Sequence, residues 1–458
     1  MPRIVPAFRR RVLVMGGAAA ALGAIGVRWR GRIRGKLSQW TALDSFVATP
    51  VLKPHDPAGE RRTLFVARGE SPAGNVDAAL GKLGGIGRVV GETDVVLIKV
   101  SAQWWNQGMT NVAAVKRVIE HVLERPGFRG EIVVFENVHF RLADGSPLAR
   151  AWTHPSARNV DIDGARTMGA LISHFESRKT PVSFVGLVDA GPSALAGDPW
   201  HDPGHVHGVY GGDGRGPIAP GEDRDGYVWD FSQTFRLRRS LLDHAQTLLT
   251  WPVFTSPRSG LVVDFRDGLH RREGGRRVAV SDRKLTWINM TTANEHASTG
   301  FTGAVKSPMG IVDMSAGRLG ADRRVQDFQS VHYFGAPRAN WRMAGPLAQF
   351  STHVRHPDLY LTVAHWMAAT PRQGWPGGDE HDIRLEATSA FPTRALVAGT
   401  DPVAIDTWCI RNLLMPIGGA AASDYNLDDP DAKVVKFLRY WRQTAGWGTL
   451  DESLVTAT

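Results

Sequence analysis

A single cysteine, Cys409, in 458 residues excludes an internal disulfide framework, a cysteine-ligated iron–sulfur cluster and a CxxC redox pair. Also missing are a Walker A loop, a GxSxG nucleophile elbow and an HExxH zinc helix. The glycines at 81, 84, 85 and 87 end a helix-compatible segment instead of following a strand, so they fail the dinucleotide fingerprint. No repeats or low-complexity tracts occur. Beyond residue 27 no stretch of 18 uninterrupted apolar residues is found.

The body also lacks a charge excess. The chain carries 54 Lys+Arg against 45 Asp+Glu, a formal +9. Residues 1–36 hold nine basic side chains and no acid, which leaves residues 37–458 with 45 of each sign. That balance removes the nucleic-acid reading that the +9 invites.

What is present begins with an address. Arg9, Arg10 and Arg11 precede an apolar run, residues 12–27, and together resemble a twin-arginine export signal. Sixteen residues span about 24 Å of helix, short of the roughly 30 Å hydrocarbon core, so the segment is either cleaved or kept as a tilted membrane anchor. The expected location is the periplasm or the outer face of the bacterial inner membrane.

In the body, short buried β-like runs alternate with helical ones. Strands are expected at Thr63–Ala67, Asp94–Val100, Glu131–Phe135, Val182–Asp189, Leu261–Phe265, Leu359–Ala364 and Arg394–Val397. Helices are expected at Asn75–Val90, Asn111–Glu124, Ala165–Ser177 and Leu237–Leu249. The alternation predicts an α/β fold, with a largely parallel or mixed sheet, flanking helices and long Gly/Pro/His-rich loops. Residues 37–458 form one large domain or two interlocked lobes, about 60–190 and 255–415.

Sites in such sheets lie beyond the carboxyl ends of the strands. Lys99 closes one apolar strand, and a lysine there snorkels or meets an anion. Trp104, Trp105 and a helix start at Asn111 follow, able to build an anion pocket. Past the next strand, Glu136 is a candidate base, with Asn137, His139 and Arg141 on one side; the alternative is a solvated edge. Lys306 is a candidate anion holder or amine nucleophile, and His296 a candidate proton carrier. Asp401 reads as a helix cap followed by proline, whereas Asp406 has no capping role to explain it. In the loop Asp198–Gly226, His201, His205 and His207 carry metal-ligand chemistry; the alternative is a pH-sensitive polar surface.

Three blocks resemble the DUF362 family. Residues 83–99, ending on Lys99, match its opening, although Val100 and Ser101 replace the usual Pro-Asn. His296 and Lys306 match its middle block, with Asn294 and Ser307 at positions where lysine and asparagine are usual. Gly399–Asp406 matches its C-terminal block closely. The resemblance spans about residues 80–415 and implies site roles for Lys99, His296, Lys306, Asp401 and Asp406. Many relatives add a ferredoxin-like cysteine domain, which one cysteine cannot supply.

These features predict an exported enzyme that acts on a small anionic substrate by isomerase, lyase or hydrolase chemistry. Catalysis would fall to Lys99, Glu136, His296, Lys306 and Asp406. Substrate binding would fall to Trp104, Trp105, Asn111, Asn137, Arg141 and Asp401, and a divalent metal would sit on His201, His205 and His207. The alternative is a non-catalytic periplasmic protein that captures an anion or a metal.

Overall fold

The computed structural model describes residues 60–102, 109–137, 168–188, 218, 222–238, 244–313, 331, 334, 339–369 and 390–458. Arg62–Arg68 forms β1, and Ser71 then caps α1, Pro72–Leu83, by accepting from the Gly74 N–H. The helix expected to run to Val90 stops earlier. Gly84 takes φ 91°, and the N–H groups of Gly84 and Gly85 return to the Gly81 and Leu80 carbonyls. A short 3-10 turn, Ile86–Arg88, is all that remains of its second half.

Two strand–helix units and a third strand follow: β2 (Val95–Lys99), α2 (Val112–Leu123), β3 (Glu131–Asn137), α3 (Met168–Ser177) and β4 (Val182–Val188). Asn111 caps α2, accepting from the Ala114 N–H at 3.1 Å.

Next comes a five-stranded antiparallel sheet of β5 (Gly226–Arg238), β6 (His244–Thr255), β7 (Val262–Asp264), β8 (Gly268–Glu273) and β9 (Arg276–Ala279), in that spatial order. The helix expected at Leu237–Leu249 is overturned here, because its described residues, 237–238 and 244–249, belong to the paired strands β5 and β6. Residues 246–250 are all buried, so the sequence loses the alternation that marks a strand. The β-branched Thr247, Thr250 and Val253, with Trp251, favour the extended form.

The chain then supplies β10 (Leu285–Thr292), the hairpin β11 (Asn294–His296) and β12 (Gly300–Thr302), a 3-10 turn at Ser307–Gly310, α4 (Ala344–His353), β13 (Leu359–Ala368) and β14 (Ala390–Gly399). Helix α5 (Pro402–Cys409) runs on through a π turn at Ile410–Leu414; α6 (Lys433–Ala445) and β15 (Val455–Ala457) close the fold.

The main sheet has eight strands in the order β15-β1-β14-β13-β10-β2-β3-β4. It is mixed: β14 runs antiparallel to both neighbours, while β13, β10, β2, β3 and β4 are parallel. From β2 the chain steps outward to β3 and β4, with α2 and α3 on one face. From β10 it steps the opposite way to β13, with α4 on the other face. The winding direction therefore reverses between the adjacent strands β2 and β10, and crevices at such a point are where open α/β sheets bind ligands.

Each face has its own core. Val96, Ile98, Ile132, Val134 and Ile288 pack under Val76, Leu80, Val115, Ile119 and Phe175 of α1–α3. Leu97, Phe135, Trp287 and Tyr360 pack against α4–α6 and the smaller sheet. Phe265 of the smaller sheet's β7–β8 turn packs that sheet into this second core, with its ring centroid 5.7 Å from Phe135 and 5.1 Å from Trp287. Truncating such a buried aromatic to alanine costs roughly 3–5 kcal/mol. Among the described residues no helix is long and apolar enough to cross a membrane, and residues 12–27 lie outside them.

Candidate functional site

Lys99 is the last residue of β2, at the point where the winding reverses. It shares a face with Val95 and Leu97, which belong to the α4–α6 core. In register it stands beside Phe135 of β3 and Asn289 of β10. Its Nζ lies 3.1 Å from Glu136 Oε2, and the two side chains are only 4% and 3% exposed. An ion pair this deep is held against desolvation only by good geometry and further hydrogen bonds; deleting one partner costs about 3–5 kcal/mol.

Asn289 completes the cluster. Its Oδ1 accepts from the Ser307 hydroxyl at 2.7 Å, while its Nδ2 is buried with no hydrogen-bond partner among the described residues. A native structure rarely leaves such a donor idle without cause. Gly310 lies directly against the ion pair: a Cβ there would stand 2.5 Å from Glu136 Oε1 and 2.8 Å from Lys99 Nζ. Only glycine lets the backbone approach that closely.

The segment carrying Ser307 and Gly310 is fixed from several sides. Asp406 Oδ1 accepts from the Ala304 N–H at 2.7 Å and Oδ2 from the Val305 N–H at 2.9 Å. The Tyr227 hydroxyl donates to the Ile311 carbonyl, and Trp229 Nε1 donates to Asp313. Asp406 is thus a buried clamp on the turn that leads into Lys306. Burial pushes its carboxyl up to about 7, against the pull of the two N–H groups.

Asp401 serves the fold as well. Its Oδ1 caps α5 through the Val403 and Ala404 N–H groups, at 2.9 and 3.0 Å. Its Oδ2 accepts from the Thr449 N–H and lies 3.3 Å from Arg62 Nε. Lys306 is half-buried at the start of the 3-10 turn, next to Ser307. His296 ends β11, and its Nδ1 accepts from the Ser298 N–H at 3.2 Å, so the other ring nitrogen carries the proton of the neutral form.

The structure therefore brings Lys99 and Glu136 together, sets Lys306 one residue from their cluster, and gives Asp401 and Asp406 supporting contacts. Asn111 is buried as the cap of α2, and Asn137 ends β3. Trp104, Trp105, Arg141, His201, His205 and His207 lie outside the described residues. Among those described, no group of three or more His, Cys, Asp or Glu could hold a metal ion.

Asn289, Ser307 and Gly310 were not foreseen as site residues. The available signal was an asparagine inside an otherwise buried strand, which must find partners when folded.

Residues 283–411 match a family model described as a domain of unknown function, DUF362. That span holds Asn289, His296, Lys306, Ser307, Gly310, Asp401 and Asp406; Lys99 and Glu136 precede it. No curated protein matches, and no solved structure does.

Proposed function

Residues 283–411 belong to the DUF362 family, and on that premise we propose that the protein is an exported enzyme acting on a small anionic substrate by acid–base chemistry. The observation that supports this most is the buried Lys99–Glu136 pair at the reversal between β2 and β10, beside the idle amide of Asn289. An incoming anion would take Glu136's place on Lys99. Glu136, released from its cation, would then accept a proton from the substrate. The Lys99 ammonium and the Asn289 amide would stabilise the negative charge that develops. Isomerase, lyase and hydrolase reactions all use such a base–cation couple.

In this reading the twin-arginine export machinery delivers the folded chain to the periplasm or the outer face of the inner membrane, where residues 12–27 either leave or anchor it. His201, His205 and His207 would hold a divalent metal, which metal analysis of the full chain and of a His205→Ala/His207→Ala variant would detect as a loss of bound ion. The alternative, a non-catalytic anion- or metal-binding protein, is favoured by one observation: Gly310 closes directly over the ion pair.

Turnover separates the two. The full chain is incubated with a mixture of organic acids and phosphate esters and followed by mass spectrometry. The enzyme reading expects one component to be converted by the wild type and not by Lys99→Met/Glu136→Gln. Conversion by both proteins, or by neither, rejects it.

A further inference from the structure

A second site lies on the opposite, α1–α2 face of the sheet. A cavity of about 360 Å³ is lined by Pro72, Asn111, His365, Trp366, Pro392 and Arg394, with Glu70 beside them. Here β13 and β14 fall out of step. Between the pairs Ala364–Ala395 and Trp366–Pro392, the single residue His365 faces two, Thr393 and Arg394. Arg394 absorbs the extra residue by taking φ 52°, a left-handed conformation that glycine normally fills at such bulges. The conformation is held from outside: the Arg394 carbonyl accepts from the Gly69 N–H at 3.0 Å and the Asn75 amide at 3.1 Å. The fold thus keeps a guanidinium at a place where the backbone would prefer no side chain, and such outliers gather at ligand sites.

His365 is 8% exposed, and its Nδ1 is buried with no hydrogen-bond partner among the described residues. Burial, then the nearby Arg394, hold the imidazole below the usual histidine range, so it is neutral at pH 7. Pro72 in the first turn of α1 and Asn111 at the cap of α2 bring two helix N-termini, each of a 12-residue helix, to the same cavity. The one acid on the wall, Glu70, is 77% exposed and pairs with Arg394 at 2.5 Å. A contact so open to solvent exchanges easily.

We propose that this cavity binds a small monocarboxylate with an apolar body. The carboxylate replaces Glu70 on Arg394 and accepts a hydrogen bond from His365, while the apolar body lies against Trp366 and Pro72. One guanidinium beside a neutral imidazole matches a single negative charge, and the Pro72 and Pro392 rings with the face of Trp366 offer apolar wall to the body of the ligand. The site shares no residue with the Lys99–Glu136 cluster and stands whether or not that cluster is catalytic.

The test is calorimetric titration of the full chain with benzoate, acetate and inorganic phosphate at constant ionic strength, alongside thermal melts. Benzoate should bind saturably and several-fold tighter than acetate or phosphate. Arg394→Gly relieves the left-handed strain, so its Tm should hold or rise while benzoate affinity falls at least tenfold. Glu70→Gln removes the internal competitor and should tighten benzoate binding several-fold. Absence of saturable benzoate binding to the wild type overturns the proposal. So does unchanged affinity in Arg394→Gly, or phosphate binding tighter than benzoate.

Discussion

Asp406 and Asp401 look alike in the sequence, five residues apart, yet they answer to different chemistry. Asp401 has its oxygens on three backbone N–H groups and close to Arg62, so Asp401→Ala should destabilise the fold by about 1–2 kcal/mol through the lost cap. Denaturant melts measure that loss, and any catalytic activity should persist in the folded fraction. Asp406 has a raised carboxyl, near 7 against an ordinary 3.8. The stability that its protonated form contributes is complete below about pH 3.8 and is lost as pH rises through about 7. A shift of that size is worth on the order of 4 kcal/mol at most. Melts of the wild type and Asp406→Asn between pH 4 and 8 should therefore differ in slope, the wild type losing stability with rising pH relative to the variant. Parallel pH profiles would show that Asp406 stays charged throughout.

At the scale of elements, the segment from Gly303 to Asp313 decides how the cluster is closed. It is clamped by Asp406, by Ser307 on Asn289, and by Tyr227 and Trp229 from β5. Gly310→Ala would drive a methyl group into Glu136 and Lys99, and melts should show a loss of roughly 1–3 kcal/mol. Strands with uniform apolar composition, such as β2 and β3, were legible in the sequence because both faces of a central parallel strand are buried. Strand β10 was not: Thr286, Asn289, Thr291 and Thr292 break its apolar run, although every residue in it is buried. Two of those groups find partners that the local sequence does not announce: the Thr286 hydroxyl donates to Asp94, and Asn289 Oδ1 accepts from Ser307, while the Asn289 Nδ2 has no hydrogen-bond partner among the described residues. The start of β6 reads as helix for the related reason that burial of every residue from 246 to 250 removes the strand period.

For the whole molecule, the α/β class and the carboxyl-edge location of Lys99 and Glu136 followed from local pattern, since each sits where an apolar run ends. Which candidates converge did not, because it depends on β10 entering between β13 and β2, a pairing across nearly two hundred residues. That insertion creates the reversal point and brings Asn289 beside Lys99. Under the proposed function, a chain whose body is electrically balanced would present a cation to an anion through one buried lysine, with Glu136 as the carboxylate to be displaced.

The central claim is that a small anion binds at this pair, and equilibrium dialysis tests it most directly. Wild-type protein and Lys99→Met/Glu136→Gln are dialysed against the same mixture of organic acids and phosphate esters, and the retained compounds are measured by mass spectrometry. The neutral double variant keeps the volume of the pair and should fold with near wild-type stability. The account predicts an anion enriched on the wild type and absent from the variant. Equal enrichment on both proteins, or none on the wild type, would contradict it.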